Sequence, residues 1–362
     1  MADLRYGIIG TGMMGVEHIH NVHHLDGARV AAVYDPDPSS LATAHALAPA
    51  ATAYRDLDAL LADGRCDAYV IASPNHTHLD VLRRVTATGT PIMIEKPLCT
   101  TVEDCRTALD LSRDHPGPIW MGLEYRYMPP VARLLADLRA GTIGPVRMAG
   151  IREHRFPFLP KVGSWNRFNR NTGGTLVEKC CHFFDLLNLV IADEPVRVFA
   201  VGGQAVNHLD VEYDGERCDV LDHASVTVTY ASGQIGTLEL CMFAEATSTQ
   251  DEVTVIGDLG KLEAHLPNGR FRRGLRDVHP TGQVYEETVP ATAPYLGHHY
   301  GSSFREHEEF LRCIRTGAEP EVTLADGLMS VALGVAAHAS IDSGRPVEVA
   351  DVLDTGPLVA AR

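Results

Sequence analysis

The sequence predicts an α/β protein with a doubly wound parallel sheet at its N-terminus, followed by an α+β domain on a large open, mainly antiparallel sheet. Three observations predict this fold. A glycine-rich turn joins an apolar run to a helix-compatible stretch at the start of the chain. Apolar runs then alternate with helical patterns as far as residue 122. After residue 146, runs that alternate with period two dominate.

The glycine-rich turn follows the short apolar run Tyr6–Ile9 and has the spacing G-x-G-x-x-G. The first glycine permits a sharp turn, the second leaves room for a pyrophosphate, and the third lets a helix pack closely on the sheet. The helix N-terminus offers N–H groups and a partial positive charge to phosphates. The stretch therefore predicts a dinucleotide site, with a glycine-rich turn of an unrelated α/β protein as the alternative. The predicted contacts are Gly10, Thr11, Gly12, Met13, Met14 and Gly15.

Asp35 ends the second apolar run, twenty residues after Gly15. A carboxylate at this point accepts hydrogen bonds from the adenosine ribose hydroxyls and repels a 2′-phosphate. The segment Pro36–Leu41 contains no Arg or Lys that would attract such a phosphate. We therefore expect NAD rather than NADP. The alternative is an aspartate that only caps the turn before Pro36.

The first half continues as alternating strands and helices, which predicts ligands beyond the carboxyl ends of the strands. The expected strands are Arg29–Tyr34, Ala68–Ala72, Pro91–Ile94 and Ile119–Gly122, and the expected helices are Val16–Leu25, Pro38–Leu47, Asp56–Leu61, Leu79–Thr88 and Val102–His115. Two further segments follow strand ends and are predicted to contact the cofactor. They supply Ser73, Pro74, Asn75 and His78, and then Glu95, Lys96 and Pro97.

Lys96 is a candidate catalytic residue because it follows the end of a buried strand. A lysine beside a bound nicotinamide can hydrogen-bond a substrate hydroxyl and assist its proton transfer. The alternative is an exposed lysine paired with Glu95.

A change of composition near residues 124–130 predicts the domain boundary, with a cofactor domain over 1–123 and an α+β domain over 124–362. An alternative is that the terminal helix and strand pack back on the first domain. The strands expected in the second domain are Val146–His154, Val196–Val201, Ala224–Tyr230, Gly233–Met242 and Glu252–Ile256. The expected helices are Pro130–Ala140, Gly174–Val190, Ser303–Arg315 and Ala325–Ser343.

The segment Gly173–Asp185 carries the predicted chemistry of the second half. Glu178 and His182 are four residues apart and would share one face of a continuous helix. Imidazole can take a hydroxyl proton at neutral pH, and a nearby carboxylate can orient it. The alternative is a histidine that is buried in the core of a packed helix. Asp185 is expected to support His182.

Composition limits the partners. The formal net charge of −16 argues against nucleic acid and anionic membranes. No apolar stretch has the length of a membrane span, and the first strand begins too early for a signal peptide. Eight cysteines without a C-x-x-C pair favour reduced thiols in the cytoplasm. Eighteen histidines form no His-Glu-x-x-His pattern, so no metal site is predicted.

Taken together, these motifs resemble the glucose–fructose oxidoreductase / inositol dehydrogenase (Gfo/Idh/MocA) family. The segments that carry the resemblance are Glu95-Lys96-Pro97, Pro74–His78, Met121–Tyr127, Gly144–Val146, Gly173–Asp185, Leu324–Asp342 and Gly344–Val347. The resemblance implies that Lys96 contacts nicotinamide and substrate and that Asn75 and His78 lie along the cofactor. It maps the histidine of the family pattern D-x-x-x-H onto His182, with Glu178 in place of the usual aspartate. It also implies a homodimer or homotetramer formed through the C-terminal sheet.

The expected function is NAD-dependent oxidation or reduction of a secondary alcohol on a sugar, glycoside or cyclitol, with Lys96 and His182 handling the proton. Six loop residues and Lys179 of the predicted helix are expected to contact the substrate, with pairing to Glu178 as the alternative for Lys179. They are Tyr125, Arg126, Trp165, Arg167, Asn169, Lys179 and Tyr300. The alternatives are a glycosidase or lyase that retains NAD and oxidises the sugar transiently, and an NAD-binding regulator without catalysis.

Overall fold

The computed structural model describes residues 3–277 and 282–354. These residues form two compact units. The first comprises the described residues through Glu124, together with 161–165 and 292–331. The second comprises 125–160, 166–291 and the described residues from Ala332 onward.

A six-stranded parallel sheet forms the centre of the first unit. Its strands are β1 (Leu4–Ile9), β2 (Ala28–Tyr34), β3 (Thr52–Tyr54), β4 (Ala68–Ile71), β5 (Ile92–Glu95) and β6 (Ile119–Gly122). Their order is β3-β2-β1-β4-β5-β6. The connecting helices are α1 (Met13–His23), α2 (Pro38–Leu47), α3 (Leu57–Asp63), α4 (His78–Thr86) and α5 (Val102–Ser112). This is the doubly wound order that the alternation predicts, so that prediction is confirmed.

The order of the chain reverses direction between β1 and β4, and ligands of such sheets bind beyond this point. β4 and β5 consist of buried residues throughout, as expected for central strands covered on both faces. The short strand β3 was not predicted, because three partly exposed residues give no recognisable pattern.

The second unit contains most of the remaining elements. In chain order these are α6 (Pro129–Arg139), β7 (Val146–His154), α7 (Asn169–Thr172), α8 (Thr175–Glu178), α9 (Cys181–Ile191), β8 (Pro195–Gly203), β9 (Glu212–Tyr213), β10 (Glu216–Arg217), β11 (His223–Tyr230), β12 (Ile235–Cys241), β13 (Asp251–Gly257), β14 (Gly260–Leu266), β15 (Arg270–Leu275) and β16 (Gln283–Thr288). The last elements of the described residues are α10 (Ser302–Thr316), α11 (Leu324–Ser343), β17 (Val347–Glu348) and α12 (Val349–Asp354).

A nine-stranded sheet dominates the second unit, in the order β16-β15-β14-β13-β7-β12-β11-β8-β17. Neighbouring strands are antiparallel except for β7 and β12, which are parallel. The prediction of an open, mainly antiparallel sheet is therefore confirmed. The five predicted strands are present, whereas β14 to β17 and the small β9–β10 pair were not predicted.

The predicted helix over Gly174–Val190 is interrupted, and this part of the prediction is wrong. α8 ends at Glu178, and α9 begins at Cys181. Cys180 has a ψ angle of −1°, outside the usual α-helical range, and breaks the regular hydrogen-bond ladder. Glu178 and His182 therefore lie on two short helices, and the helical i, i+4 geometry does not apply to them.

α11 is the one helix within residues 3–277 and 282–354 that is long and apolar enough to cross a membrane. However, 56% of its most apolar window is buried inside the protein, as in the core helix of a globular domain. Length and composition alone are weak evidence for a membrane span. The cytoplasmic location stays a prediction.

Candidate active site

In the turn between β1 and α1, the three glycines differ in the space around their α-carbons. Gly10 has a φ of +90°, and an added Cβ would lie 2.6 Å from the backbone nitrogen of Ser73. A Cβ on Gly15 would lie 2.0 Å from the carbonyl oxygen of Gly10. A Cβ on Gly12 would meet nothing within 4 Å. Gly10 and Gly15 are thus required by the fold, whereas Gly12 borders open space.

The N-terminus of α1 is suited to an anion. Gly12 occupies the N-cap position and supplies no side-chain hydrogen bond. The first turn, which begins with Met13 and Met14, contains no acidic residue. The orphan N–H groups and the helix dipole therefore remain available to a phosphate. These features fit the pyrophosphate of a dinucleotide.

Asp35 is fixed beside this turn. One of its carboxylate oxygens accepts hydrogen bonds from the backbone N–H and the hydroxyl of Thr11, at 2.7 and 3.1 Å. Its other oxygen accepts from the backbone N–H of Asp37 at 2.9 Å. Asp35 thus has the capping role of the alternative interpretation and also lies next to the glycine turn. Its contact with the ribose stays a prediction.

The loop after β4 contains Ser73 and Pro74, followed by a 3-10 turn over Asn75–Thr77. His78, at the start of α4, is fully buried. Its Nδ1 lies 2.8 Å from the carbonyl oxygen of Pro97, and its Nε2 lies 3.0 Å from that of Ser73. Burial lowers the pKa of His78. The ring therefore ties the two predicted cofactor loops together, and this structural role was not foreseen for it.

Glu95 and Lys96 differ sharply in their surroundings. Glu95 is buried, and its carboxylate accepts a hydrogen bond from the backbone N–H of Lys96 at 3.1 Å. The other oxygen of Glu95 lies 2.9 Å from Nε2 of His18. Lys96 is only partly buried and precedes a cis peptide bond to Pro97. Its charge contributes to lowering the pKa of Glu95, although burial is the largest influence and opposes this.

A cluster of histidines and carboxylates, all buried except for the half-buried His299, lies behind these loops in the first unit, and it was not predicted. Nδ1 of His299 lies 3.1 Å from Glu17, and Nε2 of His299 lies 3.4 Å from Glu124. The two carboxylates raise the pKa of His299 against the effect of burial. Burial raises the pKa of Glu124, whereas His299 helps to lower the pKa of Glu17.

The cluster extends through His18 to His307, whose Nε2 lies 2.9 Å from Nδ1 of His18. Burial lowers the pKa of His307 far below its ordinary value. The sequence contained only one signal for this cluster, namely ionisable residues on the inward face of α1 and α10.

In the second unit, Tyr125 and His182 form the centre of the predicted chemistry. Their rings are stacked with centroids 4.5 Å apart and an interplanar angle of 25°. His182, Glu178 and Lys179 are all buried. Nζ of Lys179 lies 3.2 Å from the hydroxyl of Tyr125 and 3.0 Å from a carboxylate oxygen of Glu153. The predicted residues Tyr125, Lys179 and His182 are thus brought together, whereas Glu153 was missed.

Arg126 and Asp185 form a buried ion pair in which Nε of Arg126 donates to a carboxylate oxygen at 2.7 Å. Nη2 of Arg126 contacts the other oxygen. The bidentate geometry engages the guanidinium of Arg126 and the carboxylate of Asp185 with each other. This pairing gives both residues a structural role. Substrate binding by Arg126 and direct support of His182 by Asp185 stay predictions.

The remaining predicted substrate residues have varied surroundings. In the first unit, Trp165 packs edge-to-face against His76 at 6.2 Å, and Tyr300 has a left-handed φ of 53° just before α10. In the second unit, the buried Arg167 donates to the carbonyl oxygen of Phe158 at 2.8 Å. Asn169 donates through its side-chain amide to the carbonyl oxygen of Asp219 at 2.9 Å.

One group of potential metal ligands occurs in the described part of the chain: Glu252, Glu263 and His265 on the nine-stranded sheet. Glu252 is paired with Arg152 at 2.7 Å, and Glu263 is paired with Lys261 at 2.8 Å. Arg272 adds a further cation beside Glu263. These cations neutralise both carboxylates and oppose the entry of a metal ion.

The glycine turn, the held carboxylate and the strand order define a dinucleotide-binding protein. Residues 4–123 match the model of an oxidoreductase family's NAD-binding Rossmann fold. Residues 136–349 match the model of that family's C-terminal alpha/beta domain. The chain therefore belongs to the Gfo/Idh/MocA family of oxidoreductases. The predictions of an NAD-dependent oxidoreductase and of its family are confirmed.

Individual relatives cover almost the whole chain. An inositol 2-dehydrogenase of Rhizobium meliloti is 29% identical over 353 residues, covering 96% of this chain and 99% of the relative. A scyllo-inositol 2-dehydrogenase (NAD(+)) of Bacillus subtilis is 25% identical over 353 residues, covering 96% of each. A solved structure of a levoglucosan dehydrogenase, in complex with NADH and levoglucosan, has a TM-score of 0.85 at 20% identity. It covers 96% of this chain and 99% of that one, and this likeness shows the fold alone.

Proposed function

We propose that the protein is an NAD-dependent dehydrogenase that oxidises or reduces a secondary alcohol on a cyclitol, sugar or glycoside. The observation that carries the proposal is the similarity to inositol 2-dehydrogenases across almost the full chain. The chain also retains Lys96 in the first unit and His182 in the second. We therefore expect the activity on a CH–OH group that these relatives' names describe.

The first unit's residues fit NAD. Gly12 and the uncapped start of α1 would hold the pyrophosphate, and Asp35 would accept hydrogen bonds from the adenosine ribose. The loop residues Ser73–Asn75 and Glu95–Pro97 would line the rest of the cofactor. When bound, NAD supplies a hydride acceptor at C4 of its nicotinamide.

The chain's own residues handle the proton. In the oxidative direction, His182 would take the proton of the substrate hydroxyl, while the hydride would pass to NAD⁺ from the carbon that carries this hydroxyl. Lys96 would donate a hydrogen bond to a substrate oxygen and stabilise the negative charge that develops there. Glu178 holds a neighbouring hydroxyl or orients His182. The reductive direction reverses these steps.

The proposal is tested by following absorbance at 340 nm with NAD⁺ against a panel of cyclitols, free sugars and glycosides. Wild type would be compared with Lys96→Ala, His182→Ala and the control His24→Ala, which changes an exposed histidine of α1's C-terminus. We expect NADH to form with wild type and His24→Ala and to be strongly reduced with the other two variants. No NADH with any compound, although NAD copurifies with the protein, would favour transient oxidation by a glycosidase or lyase. If the protein binds NAD tightly but shows neither net NADH formation nor transient oxidation of any compound, an NAD-binding regulator would be favoured instead.

We also propose that the protein forms a homodimer or homotetramer through the open face of the nine-stranded sheet. Phe199 and Val201 of β8 are 41% and 55% exposed on this sheet. They border a depression of about 390 Å³ that is also lined by residues of β7, β11, β12 and β13. Exposed apolar surface of this kind is covered in most soluble proteins. Analytical ultracentrifugation of wild type and Val201→Glu would test the proposal, since the variant should shift the protein towards monomer.

A further inference from the structure

Four charged residues form a buried cluster in the second unit, behind the Tyr125–His182 stack. Glu153 of β7 is 0% exposed and Asp251 of β13 is 1% exposed. These two residues are directly opposite each other in the antiparallel pairing of β7 with β13. Lys179 and Arg155 supply the two cations of the cluster. The cluster thus contains two carboxyl groups that are close neighbours on one face of the sheet.

The hydrogen bonds of the cluster leave two oxygen atoms without partners. Lys179 and Arg155 both bind Oε1 of Glu153, at 3.0 and 3.3 Å. Oδ2 of Asp251 accepts a hydrogen bond from the side chain of Gln250 at 3.2 Å. Oε2 of Glu153 and Oδ1 of Asp251 are fully buried and have no hydrogen-bond partner among the described residues. Two unsatisfied buried oxygens on opposed carboxyl groups are costly, whereas one proton held between them satisfies both.

Lys179 connects this carboxyl pair to the predicted chemistry. Its ammonium group contacts Glu153 on one side and the hydroxyl of Tyr125 on the other, at 3.2 Å. The same ammonium lies 5.2 Å from the centre of the Tyr125 ring and 5.4 Å from that of Phe183, within the range of cation–π attraction. Tyr125 in turn stacks on His182. A change in the position of the Lys179 ammonium group would therefore alter the position of the Tyr125 ring, which contacts His182 directly.

We propose that Glu153 and Asp251 share one proton and, through Lys179, form a positioning unit that holds the Tyr125–His182 stack in its working geometry. This inference rests on the proposed dehydrogenase function, in which His182 handles the proton. While the shared proton is present, the pair carries one negative charge and Lys179 remains between Glu153 and Tyr125. Loss of the proton leaves two carboxylates, which draw the ammonium away from Tyr125.

The charges around the carboxyl pair indicate that the shared proton is lost near neutral pH. Burial raises the pKa of Asp251 to about 7, and the negative charge of Glu153 acts in the same direction. Lys179, Arg155 and the hydrogen bond from Gln250 oppose the rise. We therefore expect the stack to be held best below pH 7.

The decisive variant is Asp251→Asn, which keeps the size of the side chain and removes its ionisation. Glu252→Gln is the matched control, because the neighbouring residue on β13 faces the other side of the sheet and pairs with Arg152. Infrared difference spectra between pH 6 and pH 8 would be recorded for both variants and wild type. We expect a buried carboxylic acid C=O band that disappears on raising the pH in wild type and Glu252→Gln and is missing in Asp251→Asn. Absence of this band from wild type, or its persistence in Asp251→Asn, would overturn the shared proton.

The positioning role is tested by the pH dependence of kcat/KM for NAD reduction with the best substrate of the panel. Relative to wild type, kcat/KM of Asp251→Asn should rise about tenfold between pH 6 and pH 9, because misplacement of catalytic groups is costly. Lys179→Met should lower kcat while NAD affinity is retained, and Lys179→Arg should restore part of the loss. A constant ratio across pH would contradict the positioning role. If no alcohol is oxidised, the proposed function fails, whereas the infrared result still decides whether the proton is shared.

Discussion

The two units build their sites by different means. In the first unit, the predicted cofactor site depends on backbone geometry: the positive φ of Gly10 and the absence of a Cβ at Gly12 and Gly15. In the second unit, the predicted chemistry depends on charged side chains such as Lys179, which are buried and paired. The comparison teaches that a site made by the backbone is most sensitive to an added Cβ, whereas a site made by buried ions is most sensitive to the loss of a charge.

The largest expected effect is on the buried ion pair of the second unit. Asp185→Asn should lower the free energy of unfolding by about 3–5 kcal/mol, because the buried guanidinium of Arg126 loses its counter-charge. Arg147→Gln is the control, since the pair of Arg147 with Asp258 is exposed and should contribute only about 0–1 kcal/mol. Urea unfolding measures both values. If the two variants lowered the free energy of unfolding equally, the buried ion pair would contribute no more to stability than the exposed one, which would contradict the account of the second unit.

The corresponding test in the first unit separates two glycines. Gly12→Ala should weaken NAD binding about 100-fold, equivalent to about 2.7 kcal/mol, because the new methyl group occupies the space left for the pyrophosphate. Its melting temperature should match that of wild type. Gly15→Ala should destabilise the fold itself, since its Cβ would overlap the carbonyl oxygen of Gly10. Calorimetric titration and thermal unfolding distinguish the two, and normal NAD binding by Gly12→Ala would exclude this turn as the cofactor site.

The raised pKa of Asp251 should also make the stability of the second unit depend on pH. The pKa of Asp251 in the folded protein is raised to about 7, above its value in the unfolded chain. Between about pH 4 and pH 7 the folded state therefore retains a proton that the unfolded state has lost, so stability falls as pH rises. Relative to Asp251→Asn, wild type should lose about 2 kcal/mol of unfolding free energy between pH 5 and pH 8. Parallel pH curves for the two proteins would contradict the raised pKa.

The smallest expected effect concerns cofactor choice. Asp35→Ser should weaken NAD and strengthen NADP by about tenfold each, because the carboxylate that repels a 2′-phosphate is removed. Asp37→Ser is the control, since it removes the same charge two residues away and serine can still cap α2 at Ser40. Binding of both cofactors would be measured by fluorescence. Equal shifts in the two variants would indicate a general effect of charge rather than a contact of Asp35.

The backbone-made site was predictable from sequence because its signals are local. The glycine spacing, the following helix and Asp35 all lie within one strand–helix–strand unit. The doubly wound, parallel form of the first sheet followed from the alternation of strands and helices along the chain.

The charge-made site was predictable only in part because its partners are far apart in the chain. Ala149, Ile151 and Glu153 occupy inward positions of β7, but Glu153 was not predicted to belong to the site. Asp251 begins the inward row of β13, and it lies just outside the strand predicted over Glu252–Ile256. Nothing in either strand revealed that the two acids are opposite each other or that Lys179 lies between Glu153 and Tyr125. The interruption at Cys180 was also missed, because the sequence there contains neither Gly nor Pro.

The central claim is that the first unit binds NAD and that His182 of the second unit carries the proton chemistry. Single-turnover formation of NADH by His182→Ala, at saturating NAD⁺ and substrate, tests it most directly when NAD affinity is measured on the same sample. The account predicts wild-type NAD affinity together with hydride transfer slowed by about 10²–10⁴-fold. Unchanged hydride transfer in this variant, or loss of NAD binding along with the rate, would contradict the division of roles between the two units.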